Sequence, residues 1–166
     1  MKFLQSLNGR PLRVWGLAAL VAWLVFQLTR LALLGHSVML SEQAPAGLLA
    51  GVAMGMLRDL PVVLMLAWPW AMFELLFKRK WADRLRWPLW IIYVFTLIFV
   101  GVSEGVFWDE FSVRFNFIAV DYLVFTTEVI GNIRESYPVG KIVAALAAFT
   151  LLIVWALRRP LRSAVA

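Results

Sequence analysis

Residues 14–34 form a run of 21 residues with one charged side chain, Arg30. A helix rises about 1.5 Å per residue, so such a run crosses the roughly 30 Å hydrocarbon core of a bilayer. Three further runs of this kind follow, at about 48–77, 88–107 and 142–157. Within lipid, every backbone N–H and C=O must find a partner inside the protein, and helices satisfy this locally. The expectation is an all-α fold: a multi-pass transmembrane helix bundle of about four spans, with one interfacial amphipathic helix. The first run follows Lys2, Arg10 and Arg13, as a signal peptide would. It is too long for a signal core and lacks a small-x-small cleavage site, so it reads as an uncleaved span.

The basic residues orient these spans. Lys2, Arg10 and Arg13 precede the first; Lys78, Arg79, Lys80, Arg84 and Arg86 fall between the second and third; Arg158, Arg159 and Arg162 follow the fourth. These are 11 of the 16 basic residues, and four spans put all of them on one side. The first connection on the other side, 35–46, has no Lys or Arg. The second, 108–140, sets Arg114 and Arg134 against Asp109, Glu110, Asp121, Glu128 and Glu135. The positive-inside rule then places both termini in the cytoplasm. A net charge of +6 in so apolar a chain belongs to membrane edges and anionic phospholipid, not to nucleic acid.

The sequence has no cysteine and a single histidine, His36, in the first connection. Thiolate chemistry, disulfides and a His-rich metal site are excluded, and the residues indicate neither a catalytic set nor a metal site nor a cofactor. Gly47, Gly51 and Gly55, four apart, suit close helix packing rather than phosphate binding.

Residues 108–138 are too polar to span and too apolar for a solvated loop. On a helix, Phe111, Phe115, Ile118, Tyr122, Phe125, Val129 and Ile133 form one apolar stripe, while Arg114, Asp121, Glu128 and Glu135 recur every seven residues on another face. Such a segment lies at the membrane surface as a collar, or presents a polar face at head-group level. Arg58 and Asp59 lie within the second span, where each ion costs at least about 2.5–3.5 kcal/mol. Asp59 can pair with Arg58, with Arg30, or share a proton with Glu104; Glu74 is expected to pair with Lys78, four residues on. The candidate polar or head-group site therefore comprises Arg58, Asp59, Glu104, Asp109, Glu110, Arg114, Asn116, Asp121, Tyr122, Glu128 and Asn132.

The stretch 107–138, FWDEFSVRFNFIAVDYLVFTTEVIGNIRESYP, resembles the juxtamembrane region of bacterial sulfatase-like membrane transferases. These are the lipoteichoic acid synthase and phosphoglycerol transferase proteins of the alkaline phosphatase superfamily. The similarity runs through Asp109-Glu110-Phe111, the ten residues from Arg114 to Leu123, Glu128-Val129, Asn132-Ile133 and Glu135-Ser136-Tyr137-Pro138. Gly55 before Arg58 and Asp59 matches the family's second span. The resemblance implies a bacterial cytoplasmic (inner) membrane location, a phospholipid donor, and a large extracytoplasmic catalytic domain with a Thr nucleophile and a divalent metal such as manganese. That domain and a fifth span are absent here, so the chain is expected to be the N-terminal portion of a longer protein, or a truncated homologue. It would anchor the catalytic domain, in cis, beside its donor and be inactive alone. The alternative is a stand-alone membrane protein acting as a partner or lipid-binding subunit; a transporter fragment is a weaker one.

Overall fold

A computed structural model describes residues 9–41, 47–77, 79–113 and 126–165. All regular structure among them is helical: α1 (Arg10–Ser41), α2 (Leu48–Leu76), α3 (Arg79–Phe111), α4 (Thr126–Ser136) and α5 (Val139–Val165). Four of the five are long and apolar enough to cross a membrane. The chain is a helical, multi-pass membrane protein.

Contacts between named residues give the directions of the first three helices. Arg10 and Glu74 are 2.9 Å apart, while Arg30 meets Asp59 at 2.6 Å, so α1 and α2 are antiparallel. The Tyr93 hydroxyl donates to the Ala18 carbonyl at 3.0 Å, and His36 lies 3.6 Å from Asp109, so α1 and α3 are parallel. α5 packs on α1 and α3. We call the end holding Arg10, Glu74 and Arg86 the basic end, and the opposite one the far end.

Each helix turns one narrow stripe inward. Val14, Ala18 and Val21 are spaced for a single face of α1, as are Val63, Ala67 and Trp70 on α2, Trp90, Val94 and Leu97 on α3, and Leu146, Thr150, Val154 and Leu161 on α5. Small residues on α1 let the large ones on α2 and α3 fill the centre. Trp70 stacks on Trp90 with centroids 4.6 Å apart, and Tyr93 meets both rings edge-on. Leucines, methionines and tryptophans cover the outside, which in a bilayer is the lipid-facing surface.

The helices are longer than the apolar runs alone suggest. α1 continues past Gly35, so His36 is helical rather than part of a connection. α3 begins at Arg79, and Pro88 lies inside it; the basic set 79–86 occupies its first turns. Pro61 and Pro69 sit within α2 and Pro160 within α5 without ending either. In the last case the Ser163 hydroxyl donates to the Pro160 carbonyl at 3.0 Å.

The stripe expected along 108–138 does not lie on one helix. Trp108 to Phe111 complete α3, and Ser112 then takes a left-handed conformation (φ 52°) while its N–H donates to the Trp108 carbonyl at 2.7 Å. That is a helix stop. The short helix α4 resumes at Thr126, with Ile130 and Ile133 exposed. Phe115, Ile118, Tyr122 and Phe125 lie outside the described residues.

Candidate functional site

Charged side chains inside the bundle gather at two levels. At the basic end, the Glu74 carboxylate is fully enclosed. It accepts from Arg86 Nε at 2.9 Å and Arg86 Nη2 at 3.2 Å, and pairs with Arg10 at 2.9 Å. Arg86 also donates to Asp83 at 2.7 Å. The cluster knits the start of α1, the end of α2 and the start of α3, so its evident role is to fasten helix ends. The partner expected from sequence, Lys78, lies outside the described residues; the Glu74 side chain points inward, where α1 and α3 each supply an arginine.

The second level lies deeper, between α1 and α2. Arg30 Nη2 donates to Asp59 Oδ2 at 2.6 Å, and Gln27 Nε2 approaches the same oxygen at 3.4 Å. Of the three partners open to Asp59 on paper, Arg30 is the one the fold provides. Gln27 and Arg30 stand one turn apart on α1, so both reach across to α2. Gly55 makes the reach possible: a Cβ there would collide with the Arg30 guanidinium. The glycine one turn before Asp59 is thus the seat across which the arginine lies. On the α3 side, Thr29 Oγ1 lies 2.7 Å from where a Cβ on Gly101 would stand, and Glu104 is buried one turn further on.

Two buried atoms at this level have no protein partner among the described residues: Gln27 Oε1, an acceptor, and Arg30 Nε, a donor. Buried polar atoms of this kind are ordinarily satisfied by water or by another polar molecule.

Arg58, next to Asp59 in sequence, does not join the pair. Successive residues on a helix point about 100° apart, so Arg58 turns away from Gln27 and Arg30 and is exposed. The remaining candidates scatter. Asp109 faces His36 at the far end, both half-exposed; Glu110 and Asn132 are exposed. Arg114, Asn116, Asp121 and Tyr122 lie outside the described residues, as does the side chain of Glu128 on α4. The structure therefore brings together Asp59 with Arg30 and Gln27, the latter two absent from the expected set. Gln27 carries no charge to mark it. Its signal is its spacing: it precedes Arg30 by one turn in an otherwise apolar run.

Among the described residues, no group of three acidic or histidine side chains converges as a metal site would require. What the far-level cluster offers chemically is a guanidinium, a carboxylate and an amide inside an apolar surround, suited to holding a polar or ionic group at membrane depth. No protein-family model, curated protein or solved structure matches this chain.

Proposed function

We propose that this chain is the membrane-anchoring module of a sulfatase-like phosphoglycerol transferase. It sits in a bacterial cytoplasmic membrane with its N-terminus in the cytoplasm and holds an extracytoplasmic catalytic domain beside an anionic phospholipid donor. The reading rests on the resemblance of 107–138 to that family's juxtamembrane region. Two further features support it. The basic residues of Arg10 and of 79–86 lie at or beside one end of the bundle, consistent with a cytoplasmic face. The Arg30–Asp59–Gln27 cluster gives the module a polar level inside its spans, where a lipid head group can be received. The module has no hydrolytic chemistry of its own. Its divalent metal, nucleophile and acceptor site belong to the domain it anchors.

The polypeptide in its native membrane provides the test. An antibody raised against the exposed helix α4 should detect a membrane-bound protein several times heavier than 18.9 kDa. Limited proteolysis from the extracytoplasmic side should release a soluble fragment with manganese-dependent phosphodiesterase activity. A single band near 18.9 kDa with no such fragment overturns the anchor reading and favours a stand-alone subunit.

A further inference from the structure

Arg58 is the one charge within the apolar stretch of α2 that the bundle does not use. It lies in the middle of a stripe formed by Met54, Val62 and Met65, spaced four and three residues from it or from each other, and all exposed. In a bilayer that stripe faces lipid. Among the described residues no acidic group lies within ion-pairing distance of Arg58, and the nearest carboxylate by sequence, Asp59, is already engaged by Arg30. A guanidinium presents a planar fork of N–H donors, which calls for an acceptor of matching shape. It cannot simply reach the end of its helix: α2 begins ten residues earlier, about 15 Å away along the axis.

The two charged levels show what lies beside it. Along α1, Arg10 and Arg30 are separated by about 30 Å of helical rise; along α2, Arg58 and Glu74 by about 24 Å; along α3, Arg86 and Glu104 by about 27 Å. These spacings bracket a slab close to the roughly 30 Å hydrocarbon core of a bilayer. With the basic cluster at one interface, the Arg58 backbone lies about 24 Å away, in the outermost hydrocarbon of the opposite leaflet, and its long side chain extends the remaining distance towards the phosphates. Gln27 Oε1 and Arg30 Nε, buried and unpartnered at the same level, are independent signs that polar molecules come to this depth.

We propose that Arg58 binds the phosphate of a phospholipid in the leaflet at the far end of the bundle, and that it selects lipids of net negative charge. The guanidinium matches a phosphate in charge and in its paired N–H donors. A zwitterionic head group brings its own cation close to the arginine, which is why a net anionic lipid is favoured. The inference rests on the membrane-spanning fold and not on the transferase reading, and its test involves no transfer activity.

The full chain is purified into vesicles of phosphatidylcholine, with or without phosphatidylglycerol as the anionic probe, and the lipids retained after detergent extraction are counted by native mass spectrometry. Wild type should retain phosphatidylglycerol over phosphatidylcholine, with Arg58 contributing about fivefold beyond the basic end, the effect of one basic side chain near a charged lipid surface. Arg58→Gln should lower the preference by that factor, leaving what the basic end contributes, and Arg58→Lys should keep most of it. An undiminished preference in Arg58→Gln, with native helix content, overturns the proposal. So does loss of retained lipid on adding millimolar inorganic phosphate, which would make free phosphate the ligand. Depth is read independently of folding in the Arg58 variants. Because the chain lacks cysteine, nitroxides on Met54→Cys and Met65→Cys report single positions. The label at 54 should sit at head-group depth and that at 65 within hydrocarbon; equal depths overturn the proposal.

Discussion

Removing the carboxylate of Glu74 tests how the bundle is fastened. Its side chain is fully enclosed and meets two guanidinium groups, Arg86 through two N–H donors and Arg10 through one. Glu74→Gln keeps the shape and deletes the charge, leaving two cations facing a neutral amide with one fewer acceptor oxygen. Breaking a buried pair from one side costs about 3–5 kcal/mol. Arg86 retains Asp83, a partner that is half-exposed, so the lower part of that range, about 3 kcal/mol, is expected. Arg10→Ala should cost less, about 1 kcal/mol, because Arg10 is partly exposed and Glu74 keeps its paired bonds to Arg86. The double replacement Glu74→Leu with Arg86→Met removes both charges, and it should be far milder than Glu74→Gln because no buried ion is stranded. Reversible unfolding in mixed micelles, followed by helical circular dichroism, gives the free energies. If Glu74→Gln loses under about 1 kcal/mol, or the double variant is worse than Glu74→Gln, the cluster is not what joins these helix ends.

Two glycines one turn apart should respond with opposite sign. Gly51→Ala meets open space and should stabilise α2 by up to about 1 kcal/mol through helix propensity. Gly55→Ala gains the same but displaces Arg30 from Asp59, a charged hydrogen bond worth about 1.5–3 kcal/mol, so it should be net destabilising in the same unfolding assay. For topology, a reporter fused after Arg162 should be active only in its cytoplasmic form, and one inserted beside Glu42 only in its extracytoplasmic form; the reverse result would invert the orientation proposed above.

The spans were legible because lipid imposes one rule on every residue of a segment, and a run such as 14–34 obeys it almost without exception. Helix ends were less so. His36, the basic residues from 79 to 86 and Pro88 read as breaks, yet each extends or interrupts a helix at no visible loss. Polar residues at a membrane edge are compatible with helix or loop alike, and nothing local chooses between them. Pairing was least legible. Asp59 had three candidate partners, and only the antiparallel register of α1 and α2 selects Arg30. The two arginines that hold Glu74, Arg10 and Arg86, come from other helices, and sequence shows neighbours along a chain and not across a bundle. The helical stripe through 108–138 was real as a pattern, but periodicity does not reveal a left-handed residue such as Ser112.

The prolines of α2 divide it mechanically. All of its buried residues, Val63, Ala67, Trp70, Ala71, Phe73 and Glu74, follow Pro61, and none precedes it. The half beyond Pro61 is clamped by aromatic stacking and by the Glu74 cluster. The half before it is a cantilever, tethered chiefly where Arg30 crosses Gly55 to grip Asp59. Pro61 has no N–H to offer the preceding turn, so the joint bends without breaking a hydrogen bond. The free arm is about 20 Å long, and a bend of about 10° swings its tip by about 3 Å. The Arg30–Asp59 pair thus braces α2 beside its proline joint, two residues from Pro61, and leaves the tip of the arm to its packing on α1.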